Sequence, residues 1–265
     1  MHCVRRRAFT VVELMVVIGL ISMLASLMLP VLGKMRKAAR SAVCTSNLRA
    51  MGQAWTMYTA ENRGRLMHYV WQTPAAPDSA WKGYWIGIIE GSGGVRHDAL
   101  LCPAGAEIST NAVARGYGSA ATAWTGRFTP SGTGICFNAT TYRNSSYGYN
   151  RYLTAGGGFG PDGKATHATA IADLADVPMF FDSAFADVRP PNGTAVAPVE
   201  PPPDLRGATL RPGQPEHWKF LLARHDRGVN VCMGDGHVKW VQLEDTYRMT
   251  WKSNWNKYRL ALPVR

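Results

Sequence analysis

The sequence predicts an α+β protein in which a long N-terminal helix, membrane-spanning in its first half, packs on a small antiparallel β-sheet head with long loops. An apolar run extends from Val11 to Leu32 and contains one charged residue, Glu13. Behind this run, apolar residues continue at helical spacing, which predicts an amphipathic second half of the same helix. Short alternating apolar stretches between Gly-rich and Pro-rich segments follow, and they predict the strands and loops of the head.

The apolar run is long enough to cross a bilayer. As a helix, the segment from Val11 to Leu32 extends roughly 33 Å at 1.5 Å per residue, about the thickness of the hydrocarbon core. A secretory signal has a shorter apolar stretch of about 7–15 residues, followed by a small-residue cleavage site. The run therefore favours a membrane helix over such a signal. A simple anchor does not explain Glu13, because a carboxylate within a spanning helix is costly and usually functional.

The helix is predicted to continue past the apolar run. One face carries apolar residues spaced four, three, four and three positions apart: Cys44, Leu48, Met51, Trp55 and Tyr58. This spacing places them on one stripe, which is typical of a helix that packs on a core. We therefore predict a single helix from about Phe9 to Asn62, roughly 80 Å long. A kink is expected at Pro30, because proline lacks the N–H that the helix needs.

The start of the helix resembles a known processing site. The segment Ala8-Phe9-Thr10-Val11-Val12-Glu13 resembles the prepilin peptidase site of type IV pilins and type II secretion pseudopilins. That family has a small residue before the cut, Phe after it and Glu at the fifth mature position. Cleavage after Ala8 would make Phe9 the first residue, Glu13 the fifth and Pro30 the twenty-second, where the family has its helix-kinking proline. The family's usual residue before the cut is Gly, and Ala8 departs from that pattern.

The resemblance implies a structural subunit and not an enzyme, with no cofactor required. Its implied partners are the prepilin peptidase, other pilin or pseudopilin subunits, and the machinery of a type II secretion pseudopilus or a type IV pilus. In the family, the carboxylate equivalent to Glu13 pairs with the new α-amine, here that of Phe9, which lowers the cost of burying both charges.

The resemblance also implies a location. It places the N-terminus in the cytoplasm, the helix in the bacterial inner membrane as a single span, and the head in the periplasm or on the cell surface. The positive-inside rule does not set this orientation, because Arg5–Arg7 precede the span and basic residues between Lys34 and Arg40 follow it.

Four parts of the chain follow from these patterns: a leader at 1–8, a transmembrane and filament-core helix at 9–32, its amphipathic continuation at 33–62, and a head at 63–265. Alternating or continuous apolar stretches predict strands at Tyr84–Glu90, Pro178–Asp182, Trp218–Arg224, Val229–Met233 and His237–Val241. The segment Tyr147–Asp162 is Gly-rich and predicts a loop. Eight prolines in 189–215 exclude a helix or central strand there and predict an extended surface excursion.

A second family-like pattern lies near the C-terminus. His225 is followed by nine residues and then by Asp235-Gly236, which resembles the H-X9-DG element of a large group of pilin-like proteins. Asp-Gly between alternating apolar residues also predicts a two-residue type I′ hairpin turn. The chain resembles that group at three further segments: Cys44-Thr45-Ser46-Asn47-Leu48, Leu101-Cys102-Pro103 and Ser146-Tyr147-Gly148-Tyr149-Asn150.

The role of the H-X9-DG element stays open at this point. In one hypothesis Asp235 makes the turn and His225 bonds to backbone across the sheet. In another, Asp235 with Asp182 or Asp226 binds Ca²⁺, as loop carboxylates do in some pseudopilin heads. A catalytic His/Asp pair would need a nucleophile or a pocket, and the sequence indicates neither.

The cysteines and one further histidine pattern leave similar alternatives. A zinc site formed by His225, His237 and Cys232 lacks the paired ligand spacing of known zinc motifs. Outside the leader there are four cysteines, and four cysteines allow three complete pairings. The resemblance implies a disulfide between Cys44 and Cys102, because both lie in family-like segments, and reduced buried thiols remain the alternative.

Two observations concern other functions. The net charge of +11 is scattered, and no basic run is interleaved with aromatic residues, so nucleic acid is not an expected partner. A second function class is a binding protein that uses the pilin-type segment as an anchor only, with a tryptophan-rich head that contacts carbohydrate. The tryptophans available for such a surface are Trp71, Trp81, Trp85, Trp124, Trp251 and Trp255.

The processing site can be tested directly. If the chain is cut between Ala8 and Phe9, the mature protein extracted from membranes should begin at Phe9, with N-methylation as the family implies. Mass analysis of the N-terminal peptide measures this. A chain that retains Met1, or one that is cut beyond residue 20, would contradict the resemblance.

Overall fold

A computed structural model describes residues 10–67, 84–105, 116–127, 142–160, 163–194, 197–207, 210 and 213–263. The chain divides into two compact units, Met1–Ala39 and Arg40–Arg265. The predicted cleavage site Ala8–Phe9 and the tryptophans Trp71 and Trp81 lie outside the described residues.

The first helix, α1, spans Val11–Glu61 and contains Pro30, which confirms the predicted long helix. It begins with a capping box. The Glu13 carboxylate accepts hydrogen bonds from the backbone N–H of Thr10 at 2.8 Å and from the Thr10 hydroxyl at 2.9 Å. In return, the Thr10 hydroxyl oxygen accepts from the N–H of Glu13 at 3.2 Å. Donors at the helix start are thereby satisfied within the chain.

The first unit holds the apolar part of α1, and its described residues, 10–39, are all exposed. By length and composition this part is suited to cross a membrane. Single exposed apolar residues are normal on a protein surface, but a continuous apolar surface of this size marks a contact with a membrane or another protein.

The second unit is built on a five-stranded sheet. Its strand order is β5-β3-β4-β6-β7, and all neighbours are antiparallel except β3 and β5, which are parallel. A separate antiparallel pair is formed by β1 and β2. The strands are β1 (Trp124–Arg127), β2 (Tyr142–Ser145), β3 (Tyr147–Asn150), β4 (Pro178–Asp182), β5 (Asp187–Val188), β6 (Gly228–Met233) and β7 (Val238–Gln242).

The second half of α1 packs on this sheet through the predicted stripe. Cys44, Leu48, Met51 and Trp55 are buried in the core. The helix approaches β6 closely at Gly52, where an added Cβ would lie 2.7 Å from the Cys232 sulfur. The fold is therefore the predicted α+β arrangement of a long helix on a small, mostly antiparallel sheet.

Aromatic side chains fill the core on both faces of the sheet. On the helix side, the Phe180 ring lies 5.4 Å from the Trp85 ring and 5.2 Å from the Tyr149 ring. On the opposite face, Phe181 lies 5.2 Å from Trp251 between ring centroids. Neighbouring residues of β4 thus anchor two different layers, because successive side chains of a strand point to opposite faces.

The predicted strands at Pro178–Asp182, Val229–Met233 and His237–Val241 are confirmed as β4, β6 and β7, within one residue at each end. The predicted strand at Tyr84–Glu90 is wrong, because this segment belongs to a second helix, α2 (Trp85–Gly93). In α2 the buried residues lie at helical spacing, and the helix ends at a left-handed glycine. Both structures fit a short apolar run, so the pattern did not distinguish them.

Two further predictions for the head need correction. The segment Trp218–Arg224 is not a strand: it follows a 3₁₀ turn at Glu216–Lys219, and several of its backbone bonds are local, such as Leu222 N–H to Phe220 O at 2.8 Å. The predicted loop from Tyr147 begins with strand β3. At Gly148 an added Cβ would lie 2.7 Å from the backbone oxygen of Phe185, so the glycine permits close strand packing there.

The Pro-rich segment 189–215 contains no helix or strand among its described residues, as predicted. Although much of it is exposed, it is anchored to the head. Leu205 is buried and its carbonyl accepts a 2.7 Å bond from Ala223 N–H. The carbonyl of Glu200 contacts His217 Nε2 at 2.5 Å and accepts from Trp218 Nε1 at 3.0 Å.

Contact between α1 and α2 can be tested at a glycine. A Cβ added at Gly93 would collide with the Cβ of Ala54 on α1, whereas a Cβ at Gly91 meets nothing within 4 Å. Gly93→Ala should destabilise the head by roughly 1–3 kcal/mol, the usual cost of overpacking. Gly91→Ala, the matched control, should be neutral or stabilise by up to about 1 kcal/mol through helix propensity.

Denaturant unfolding of both variants in detergent micelles measures the difference. Equal unfolding midpoints for the two alanine variants would show that α1 and α2 do not approach as closely as described.

Candidate functional site

The family-like segments that contain Cys44, Cys102, Ser146 and His225 meet at one buried site between α1 and the sheet. The site contains the side chains of Asp182, Arg224 and His225, and we call these three residues the buried charge cluster. Around it lie a disulfide and the β2–β3 connection. The three side chains are at most 5% exposed.

The disulfide joins Cys44 of α1 to Cys102, with 5.1 Å between the Cα atoms and both residues fully buried. This is the pair that the resemblance implied. One turn further along α1, the Asn47 amide donates to the carbonyl of Leu101 at 3.1 Å and lies 3.4 Å from the Tyr147 hydroxyl. In the chain-entropy view, closing a loop across a separation of 58 residues stabilises the fold by about 4 kcal/mol.

Asp182, the last residue of β4, places a carboxylate in the centre of the site. One oxygen, Oδ1, lies 3.4 Å from Arg224 Nη1, and the other, Oδ2, lies 3.3 Å from His225 Nε2. The backbone N–H of Asn230 also donates to Oδ2, at 2.9 Å. A fully buried carboxylate is tolerated only with such partners, because its transfer out of water is otherwise very costly.

These partners also set the protonation of the site. Burial by itself raises the pKa of Asp182. Hydrogen bonding and charge from His225, the charge of Arg224 and the Asn230 N–H outweigh that effect, so the pKa of this carboxyl lies below its usual value. Asp182 is therefore ionised, and its charge is compensated inside the head.

Arg224 supplies the positive charge of the cluster and hydrogen-bonds to backbone carbonyls of neighbouring segments. Its guanidinium donates to the carbonyl of Ser146, to that of Ser119 at 2.6 Å and to that of Ala120 at 3.3 Å. The loop at Gly105 passes so close that an added Cβ would lie 2.6 Å from Arg224 Nε. Arginine suits this position because its five N–H donors form a planar fork and it stays charged.

His225 connects the cluster to the disulfide. Its Nε2 lies 3.3 Å from the Cys102 sulfur as well as from the Asp182 carboxylate. The sequence had suggested a backbone partner across the sheet. Instead, the main chain of His225 pairs with nearby Gly228 in a tight turn, and its carbonyl accepts from Trp240 Nε1 at 3.1 Å.

The other half of the H-X9-DG element lies on a separate turn. Gly236 N–H donates to Met233 O at 2.9 Å, and Met233 N–H donates to His237 O at 2.8 Å. Gly236 has φ +92°, whereas Asp235 is not among the residues with positive φ. The loop therefore contains three residues and ends in a left-handed glycine, so the predicted two-residue type I′ turn is wrong. Asp235 does shape the turn, because its carboxylate accepts from His237 N–H at 3.1 Å.

The structure does not assemble either metal site considered from the sequence. Asp182 is buried in the charge cluster, while Asp226 and Asp235 are exposed on two different turns. Cys232 is buried and His237 is exposed beside Asp235. Within the described ranges, the one group of three or more potential metal ligands is formed by different residues: Cys44, Cys102 and His225.

The tryptophans expected on a carbohydrate surface are mostly core residues. The four that fall in the described part of the chain, Trp85, Trp124, Trp251 and Trp255, are buried, and each indole N–H donates to a backbone carbonyl. Trp240, which the sequence had not singled out, is 52% exposed. These four tryptophans stabilise the head and do not form a binding surface.

Sequence reasoning missed Arg224 and Asp182 as partners. Arg224 directly precedes His225 of the H-X9-DG element. Its position next to the motif is the one feature of the sequence that could have indicated its role. Asp182 had been considered only as a calcium ligand. Of the assembly residues, Glu13 and Pro30 lie on the exposed part of α1, outside the buried charge cluster.

No family model, no curated protein and no solved structure matches this chain.

The buried charge cluster predicts how the head responds to mutation. Asp182→Asn leaves the buried Arg224 without its counter-charge and should cost about 3–5 kcal/mol. Asp235→Asn, the control, changes an exposed carboxylate on the other turn and should cost less than about 1 kcal/mol. Chemical denaturation at neutral pH compares the two, and equal losses would contradict the role of the cluster.

The same carboxylate predicts an acid transition. Because the pKa of Asp182 is lowered on folding, its contribution is complete above the unfolded value of about 3.9 and is lost as the pH falls through the folded pKa. The wild-type head should therefore lose stability below about pH 4, with a smaller loss in Asp182→Asn. If the free energy of unfolding fell equally with pH below about pH 4 in both proteins, this assignment would be wrong.

Proposed function

We propose that this chain is a structural subunit of the type IV pilin-like class, cleaved between Ala8 and Phe9 and assembled into a type II secretion pseudopilus or a type IV pilus. The observation that supports this proposal best is the division of one continuous helix into two kinds of surface. Its first part is apolar and exposed, and its second part is buried against a folded head.

The described residues of the first unit, 10–39, are all exposed, so this part of the helix needs an environment that covers its apolar side chains. Before assembly, the inner membrane covers it, with the N-terminus in the cytoplasm. In the filament, the same surface is covered by other subunits. Packing of one surface against a different surface of the next subunit is heterologous and does not close on itself, so it extends into a filament.

The second part of α1 is attached to the head by one covalent bond and two polar contacts. The Cys44–Cys102 disulfide, the Asn47 bond to the Leu101 carbonyl and the Asn230 amide 3.4 Å from the Ser41 hydroxyl all connect α1 to the head. A filament subunit benefits from this cross-linking because the buried part of α1 then stays in place on the head.

The buried charge cluster supports a structural role and not turnover. Its side chains are at most 5% exposed, so a substrate has no access to them. A cavity of about 520 Å³ beside α1 and one of about 440 Å³ near Pro203 are lined by neither Asp182 nor His225.

Glu13 has two roles in this proposal. In the capping box it satisfies donors at the start of α1. After cleavage it becomes the fifth residue and supplies the counter-charge for the α-amine of Phe9. A variant of Thr10 separates the roles, because Thr10→Val removes the hydroxyl of the capping box and keeps the carboxylate.

Glu13→Ala should leave membrane insertion intact, since it makes the span more apolar, and should strongly reduce incorporation into filaments. Thr10→Val should reduce it much less, because the loss of a cap costs only about 1 kcal/mol. Both steps can be measured in a bacterial host that has a pilus or pseudopilus assembly system. The amount of the protein in the membrane fraction measures insertion, and the amount in filaments sheared from the cells measures incorporation. Equal filament yields from wild type and Glu13→Ala would contradict the proposed charge pairing.

A further inference from the structure

Three potential metal ligands converge beside the buried charge cluster. The sulfurs of Cys44 and Cys102 and a ring nitrogen of His225 lie within 4.8 Å of one another, and all three residues are buried. The two sulfurs are joined in the disulfide, so they bind a metal together only in the dithiol state, after separating to about 3.8 Å. In a tetrahedral zinc site with Zn–S bonds of about 2.3 Å and Zn–N bonds of about 2.0–2.1 Å, neighbouring ligand atoms lie about 3.3–3.8 Å apart. The observed separation between Cys102 Sγ and His225 Nε2 is 3.3 Å.

A carboxylate lies next to this group without being part of it, because Asp182 is not among the residues whose ligand atoms all lie within 4.8 Å of one another. Asp182 Oδ2 lies 3.3 Å from His225 Nε2, which matches the edge of a tetrahedron with bonds of about 2.0–2.2 Å. Its carboxylate is already oriented by the N–H of Asn230 and the guanidinium of Arg224. Metal-binding carboxylates in proteins are held by outer hydrogen bonds of this kind.

We propose that, in the dithiol state, Cys44, Cys102 and His225 bind Zn²⁺, and that the Asp182 carboxylate beside His225 moves toward the metal to become the fourth ligand. The chain is synthesised with both cysteines as thiols, so this state needs no reductant. On binding, each thiol releases its proton and donates a sulfur lone pair to the metal. Exchange with an external disulfide, which is reduced to two thiols as the Cys44–Cys102 bond forms, removes two ligands and releases Zn²⁺. The metal site and the disulfide therefore exclude each other.

The electrostatics of the site favour this exchange. Two thiolates neutralise the charge of Zn²⁺, and the charges of Asp182 and Arg224 compensate each other. With the His225 ring neutral, as metal binding requires, the net charge of the zinc site is zero, so the cost of burying an unbalanced charge does not arise. Zinc would also keep α1 linked to the head before the disulfide forms. This inference does not depend on filament assembly.

The test uses the full chain in detergent micelles, in a Cys3→Ser/Cys136→Ser background, reduced with a phosphine that is then removed under anaerobic conditions. Co²⁺ serves as the spectroscopic probe for Zn²⁺. The reduced chain should bind one equivalent, with a thiolate-to-cobalt band in the near ultraviolet and tetrahedral bands in the visible region, and Zn²⁺ should abolish both. The oxidised chain, identical in sequence, should show neither band.

Variants assign the ligands. Cys232→Ser and His237→Asn, outside the site, should bind Co²⁺ like the background chain. His225→Asn should weaken binding by at least tenfold, and Cys44→Ser should lower the thiolate band. Stability gives an independent readout, because a ligand that binds only the native state raises the melting temperature, here in the reduced chain and not in the oxidised one.

The proposal is wrong if the reduced background chain, folded by circular dichroism, shows no cobalt bands. It is also wrong if a Cys44→Ser/Cys102→Ser variant keeps them. Should that variant unfold, the comparison of the reduced and oxidised background chains still decides, since it needs no further substitution.

Discussion

The head of this protein depends on one buried carboxylate, that of Asp182. A charge at the end of the central strand β4 is unstable in the core unless other groups compensate it, so the fold has to bring a cation to the same place. Arg224 provides that cation, but its guanidinium has more donors than Asp182 accepts. The remaining donors bind carbonyls of the loops around Ser119 and Ser146. A single side chain thereby connects the segment at Ser119 and the β2–β3 connection to the end of β4.

The same constraint explains why the helix and the sheet are connected at this point. His225 lies between the carboxylate and the Cys102 sulfur, and Cys102 is bonded to Cys44 on α1. A continuous chain of contacts thus runs from the helix to the centre of the sheet. Removing one member leaves a buried polar group without a partner, which costs more than the contact itself contributes.

Local patterns account for the parts of the fold that the sequence predicted. The apolar run and the stripe through Trp55 define α1, and alternation along Val229–Met233 defines β6, because both signals arise from periodicities of the backbone. Strand β3 was missed because its residues lie among glycines and serines, and α2 was misread because a short apolar run fits either structure. In both cases tertiary packing, not local preference, determines the outcome.

The candidate site was less predictable for a different reason. Cys102 and His225 were each recognised as parts of family-like segments, but they are 123 positions apart in sequence. No pattern within a window of ordinary length reports such a contact. His225 and Asp235 belong to one motif and yet lie on separate turns, so the motif describes a stretch of chain and not a pair of cooperating side chains.

The two units differ in how far their apolar side chains are buried. In the second unit, aromatic residues such as Trp251 and Phe181 fill both faces of the sheet, and even charged groups are enclosed. In the first unit, the described apolar side chains have no cover from the chain itself. A chain with a well-packed second unit and an exposed apolar helix segment gains stability when that segment is covered by lipid or by another protein surface. The cross-link at Cys44 lies just inside the second unit, near the beginning of the buried stripe. This covalent bond holds the beginning of the buried helix segment on the sheet of the same unit.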